Sequence, residues 1–173
     1  MIKKTLITIA LLLFSTAAFA QHYEDHGTHH KKHHVALFDG ATTNFGHSTT
    51  GYSIGLDYEY LMSDVVGAGL IAEYVFSGTG ELIVGVPVFY HPTNNLKIGA
   101  GPIGVFVEKH HDTLHNDGHD TVSNNVEKEW EVGARFNVTY SLHFGSISAG
   151  PSVSMDVANT TSLAYGLSFG IGL

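Results

Sequence analysis

The chain contains no cysteine, only 4 prolines and 14% charged residues in a length of 173. Without cysteine there is no disulfide scaffold and no thiolate-ligated zinc or iron–sulfur site. Bases are scarce, 8 Lys+Arg against 16 Asp+Glu, for a formal net charge of −8. A nucleic-acid binder needs a basic footprint, so nucleic acid is excluded as a partner. After residue 20 there is no apolar run long enough for a membrane-crossing helix, which needs about 20 such residues. Abundant instead are 20 glycines and 13 histidines. Glycine costs about 1 kcal/mol relative to alanine at a helix position, which argues against a helical bundle.

Met1–Ala20 has the layout of a cleaved signal peptide. Lys3 and Lys4 form the positive region, Leu6–Phe14 the apolar region, and Ala18-Phe19-Ala20 a small-x-small cleavage site. The mature chain then starts at Gln21, and its loss of two lysines sharpens the acidic balance. No lipobox cysteine is present to anchor it.

From residue 34 onward the dominant period is two, the period of a strand. Leu163, Tyr165, Leu167, Phe169, Ile171 and Leu173 share one face, and Ala164, Gly166, Ser168, Gly170 and Gly172 the other. Tyr52, Ile54, Leu56, Tyr58 and Tyr60 alternate with Ser53, Gly55, Asp57 and Glu59. Trp130, Val132, Phe136 and Val138 alternate with Glu131, Gly133, Arg135 and Asn137. The spacing predicts eight strands, at 34–43, 51–62, 65–76, 81–91, 96–109, 126–140, 145–157 and 162–173. Most run about 10 to 15 residues, where soluble strands usually run about 5 to 6 and a membrane-crossing strand needs about 9–11.

One face of these strands is bulky and apolar, the other glycine, serine, alanine and charge. Small polar residues cannot fill a soluble core, so the bulky face is assigned outward to lipid and the small face to a lumen. A lipocalin-like soluble binder and a sandwich with one wet face are the competing readings. Tyr58, Tyr60, Tyr90, Tyr140 and Phe169 fall near one end of the strands. Tyr52, Tyr74, Phe76, Phe106, Trp130 and Tyr165 fall near the other. Two aromatic girdles around an apolar band are expected of a membrane barrel. Short connections at Ser63-Asp64, Pro92–Asn95 and Ser141–Phe144 alternate with longer ones, the longest being His110–Asn125. A weak repeat relates Val84-Gly85 and Ala100-Gly101-Pro102 to Val132-Gly133 and Ala149-Gly150-Pro151.

With its signal peptide, eight strands and terminal segment Tyr165–Leu173, the mature chain resembles the small eight-stranded outer-membrane β-barrel proteins of Gram-negative bacteria. The resemblance implies an all-β, antiparallel, up-and-down transmembrane barrel at 35–173. It would follow a signal peptide at 1–20 and a histidine-rich periplasmic tail at 21–34. It also implies a monomer in the outer membrane, in contact with its lipid and inserted by machinery that reads the last strand. That strand usually ends in an aromatic residue in the family, and here it ends in Leu173.

Most histidines fall in two clusters. His22, His26, His29, His30, His33 and His34 precede the first strand; His110, His111, His115 and His119 lie in the longest loop, interleaved with Asp112, Asp117 and Asp120. Imidazole with carboxylate suits Zn²⁺, Ni²⁺ or Cu²⁺, and the irregular spacing is that of an unselective binder rather than a fixed zinc motif. No cofactor is required. Asp57, Glu59, Glu73, Glu131 and Arg135 should face the lumen, and a lone buried guanidinium is costly, so Arg135 should pair across it. Asp57 or Glu59 are the first choices and Glu73 or Glu131 the alternatives. For catalysis only His47-Ser48 and the pair Glu129 and Glu131 are available, and neither forms a recognisable nucleophile–base set. The expected role is therefore non-catalytic, structural or interaction through the outer loops. A porin-like narrow channel and an outer-membrane lipid hydrolase are the rivals.

Overall fold

The computed structural model describes residues 32–77, 80–111 and 125–173; the expected signal peptide at 1–20 and the histidines His22, His26, His29 and His30 lie outside the described residues, as do His115 and His119. Period-two alternation becomes eight barrel strands. They are β1 (His33–Asn44), β2 (Thr49–Leu61), β3 (Val66–Phe76), β4a (Glu81–Gly85) with β4b (Val88–Thr93), β5 (Leu96–His111), β6a (Asn125–Tyr140) with β6b (Leu142–Phe144), β7 (Ile147–Val157) and β8 (Thr161–Gly172). Each is antiparallel to its neighbour in the chain. β8 closes on β1 from His34↔Gly172 to Asn44↔Ser162. Closure removes the sheet edges, the condition for a sheet to cross a membrane.

The interruption of β4 has a specific cause. Proline has no N–H to give to a ladder. Gly69 N–H donates to Pro87 O (3.0 Å) and Val86 N–H to Pro102 O (3.1 Å), but neither proline can return the bond. The register of β3 runs unbroken from Ile71↔Gly85 to Ala68↔Val88, so the gap is lost hydrogen bonding rather than a bulge.

The turn at 62–65 is closed by Met62 N–H to Val66 O (2.9 Å) and by the Ser63 hydroxyl accepting from Val66 N–H (3.1 Å). The expected turn at Ser141–Phe144 lies further on. Leu142–Phe144 pairs with β7 from Leu142↔Ala149 to Phe144↔Ile147, and the chain reverses at Gly145, whose φ of 67° glycine tolerates. These turns, with the one at Asn94-Asn95, share an end with both termini of the described barrel. At the opposite end three of the four connections are also short, so the expected contrast in length rests on the β5–β6 loop.

The outer wall carries the side chains assigned to lipid. Leu56, Leu70, Val132, Phe136, Leu167 and Phe169 are exposed. Tyr52, Tyr74, Phe76 and Trp130 are also exposed, and Phe106 meets Trp130 edge-on at 4.4 Å. Asp39 interrupts the apolar band as an exposed outward carboxylate and accepts a hydrogen bond from the Tyr52 hydroxyl.

The interior departs from the expected small-and-polar lining. Phe38 and Phe89 are buried inside, and Ile71, Val75, Ile83, Phe89, Ile103 and Val105 form one apolar cluster on β3, β4 and β5. The glycines make this possible. A Cβ on Gly99 would meet the Phe89 ring at 2.8 Å, and one on Gly40 would meet the Phe38 ring at 2.7 Å. At these two positions neighbouring rings occupy the space that glycine frees. The lumen is amphipathic: the apolar cluster sits on β3–β5 beside the buried Glu73, Glu81 and Lys97 of the same strands, and β6–β8 line it with polar side chains.

Candidate functional site

The polar half of the lumen is organised around Arg135, which is 5% exposed. Its ladder partner on β7 is Asp156. Opposed residues on one face of a sheet sit within side-chain reach, and the guanidinium clasps this carboxylate with two bonds, Nε to Oδ1 (2.6 Å) and Nη2 to Oδ2 (2.7 Å). The remaining nitrogen crosses the lumen to Glu73 Oε2 on β3 (2.7 Å). Glu73 Oε1 accepts from the Thr42 hydroxyl (3.0 Å), which lies 3.0 Å from the Ser53 hydroxyl. A donated proton serves one acceptor, so Thr42 gives its own to the carboxylate and takes one from Ser53. Arg135 therefore bonds Glu73 and Asp156, not Asp57 or Glu59.

A second cluster lies nearer the tight-turn end. Glu59, 2% exposed, holds His91 at 2.6 Å and Lys97 at 3.7 Å. The Lys97 ammonium also lies 4.6 Å from the centre of the Phe89 ring, a cation–π contact. Asp57 lines a small internal cavity with Glu73, Arg135, Asn137, Ser152 and Ser154. Asn137 and Thr139 bond the β7 serines, with Thr139 to Ser152 at 2.8 Å and Asn137 to Ser154 at 2.9 Å. Glu131 is half-buried on the inward face nearer the other end, and Glu129 is exposed.

Sequence reading missed Asp156, Lys97, His91 and Glu81. The signal was available, since Ser152, Ser154 and Asp156 alternate with Val153, Met155 and Val157. Lys97, His91 and Glu81 likewise share the inward parity of Gly99 and Phe89.

The assignment of His33 and His34 to the tail is corrected. Both are ladder residues of β1, opposite Tyr60 and Glu59, because the alternation of Ala36 and Phe38 extends back through them. His33 is exposed, bonds the Tyr58 hydroxyl (2.8 Å) and packs on the Tyr60 ring, whereas His34 reaches the Ser148 hydroxyl inside (3.3 Å). Among the described residues no group of three or more His, Cys, Asp or Glu is placed to hold a metal ion. The side chains of His110 and His111 fall outside the described residues. His47 and Ser48 occupy the exposed turn after β1, where Asn44 Oδ1 accepts from His47 N–H (3.2 Å).

The strand path of β5 and β6a carries a further feature. Their mutual ladder runs to His111↔Asn125, while the β4–β5 ladder stops at Glu81↔Val107 and the β6–β7 ladder at Ala134↔Val157. The β5–β6 hairpin therefore stands beyond its neighbours as a two-stranded ribbon.

A closed eight-stranded barrel with a lipid-facing apolar wall and a filled, ion-paired lumen is a transmembrane barrel of the outer-membrane type, and its place is the outer membrane. Solved structures share this fold. The N-terminal β-barrel domain of Pseudomonas aeruginosa OprF superposes with a TM-score of 0.56 at 14% identity, covering 80% of this chain and 97% of that one. Neisserial surface protein A (NspA) superposes with a TM-score of 0.52 at 11% identity, covering 82% and 96%. No protein-family model and no curated protein sequence matches the chain.

Proposed function

We propose that this barrel is a non-catalytic interaction protein of the outer membrane, acting through the projecting β5–β6 hairpin, with capture of a divalent metal by its histidine clusters. The observation that carries the reading is the ribbon itself. It carries the backbone of His110 and His111 beyond the ladders of the neighbouring strands, while the lumen behind it is filled. By family resemblance the termini face the periplasm, so the hairpin faces outward. The Tyr165–Leu173 strand is then the segment read on insertion, and the barrel works as a monomer.

Calorimetric titration of the refolded mature chain with Zn²⁺ tests the metal arm. Uptake should fall when Gln21–Lys31 is deleted, a cut that spares β1, and fall further when 112–124 is replaced by a short turn. Binding needs neutral imidazole, so it should weaken as pH drops through the usual histidine pKa of about 6.5. Unchanged stoichiometry after the tail deletion would place the site in the hairpin alone. Absence of binding to the intact chain at near-millimolar metal would end the metal reading.

A porin-like channel is the rival. In planar bilayers the barrel should give no steady conductance steps, because a lumen of this strand number is filled by side chains and Arg135 ties β3, β6 and β7 together across it. Long-lived open steps in the purified protein would overturn this reading in favour of transport.

A further inference from the structure

The lipid-facing wall is not uniform. Ladder pairing places Tyr58, Leu70, Val86 and Pro102 in one row and Leu56, Ala72, Val84 and Gly104 in the next. The outward residues of the second row are small on β3 and β5, and a groove of about 700 Å³ opens there. It is walled by Leu56, Tyr58 and Leu70 on one side and by Trp130 and Val132 on the other. Strands in such barrels tilt by about 35–45°, so ladder rows climb the wall as well. The groove starts beside Tyr58 near the tight-turn end of β2 and ends under Trp130 toward the loop end of β6, between the two girdles.

Its floor is where the ladder is weakest. Pro87 and Pro102 withhold two hydrogen bonds at adjacent positions of β4 and β5, and within a membrane a backbone acceptor left without its donor is costly. The wall is also thin here, since the inward side chains of Ile71 and Ile103 border the groove from behind. Trp130 lies over Gly104, where a Cβ would meet its ring at 2.7 Å. Apart from the Tyr58 hydroxyl and the Trp130 indole N–H, every lining side chain is apolar and none is charged, which argues against an ionic ligand.

We propose that this groove is a seat for one acyl chain of a membrane phospholipid, held more tightly than the lipid around the rest of the wall. The occupant follows from continuity: the groove is a recess in a surface that already faces hydrocarbon, and it runs from Tyr58 of one girdle to Trp130 of the other.

The chain supplies its own reporter, since Trp130 is its single tryptophan. The refolded, delipidated barrel in detergent is titrated with phosphatidylethanolamine carrying dibrominated acyl chains. Quenching of Trp130 should saturate at one lipid per barrel. Ala72→Phe fills the groove floor and should convert saturation into a shallow, unsaturable decline. Ala100→Phe adds the same bulk to an outward position off the groove and should leave the saturation intact, which separates loss of the seat from loss of the fold. Unsaturable quenching in the wild type, or saturation that survives Ala72→Phe, would overturn the proposal. So would saturation by a brominated free fatty acid but not by the phospholipid. A dimer in detergent that Ala72→Phe dissociates would assign the groove to a second copy instead.

Discussion

Arg135→Leu should lower the folding stability of the barrel by about 3–5 kcal/mol, the range found when one partner of a buried ion pair is removed. The loss comes less from the missing attraction than from what is left behind. Glu73 and Asp156, 3% exposed each, would lose a guanidinium that bonds both and face a lumen with little water to replace it. Thr42 can compensate only one oxygen of Glu73. Arg135→Lys should recover part of the loss, because an ammonium supplies the charge but not a planar fork able to clasp Asp156 and reach Glu73 at once. Urea unfolding in lipid vesicles reads both variants. A midpoint for Arg135→Leu that implies a change under about 1 kcal/mol would show that solvent screens the network as it does a surface pair.

Gly166→Val should impair closure of the barrel itself. Gly166 and Gly40 are ladder partners across the β1–β8 seam, and both face inward. A Cβ on Gly166 would run into the Asp39 carbonyl oxygen and lie 2.6 Å from the Gly40 Cα. These are backbone atoms, so no rotamer change relieves the overlap, and the two strands must part or shift. Overpacking typically costs about 1–3 kcal/mol and occasionally more; here it falls on the pairing that turns an open sheet into a barrel. The expected result is a reduced fraction of the compact, heat-modifiable form on a detergent gel after refolding into vesicles. Gly104→Ala should be milder, since its new methyl meets only the Trp130 ring, a side chain exposed on 55% of its surface and free to swing aside. Equal yields for Gly166→Val and wild type would mean the seam tolerates spreading.

Strand number, strand faces and membrane setting were legible in the residues. Alternation is local: each side chain's face is set by its two neighbours, so Tyr52 through Tyr60 or Leu163 through Ile171 declare their direction without reference to any other strand. Pro87 could likewise be read as a weak point of its strand. The filling of the lumen was less legible. Treating inward glycine as empty space overlooked that Phe89, the ladder partner of Gly99, and Phe38, two residues before Gly40 on the same strand, would lie over them. The first strand begins one residue before the expected 34. His33 looks like the tail histidines in composition, and only its pairing with Tyr60 of β2 makes it part of the wall.

The sequence by itself thus determined that the chain is a long-stranded, closed-barrel former with a bulky outer face and a buried arginine in need of an acid. Tertiary structure alone decided which acids answer it, where the ribbon rises and where the outer wall recedes. The reason is shear. Closing a sheet staggers its strands by an amount set around the whole ring, so residues at equal distances from their turns come to lie at different heights. Asp156 reaches Arg135 as its direct ladder partner, and Glu73 reaches it from across the lumen, through a register that no single strand contains.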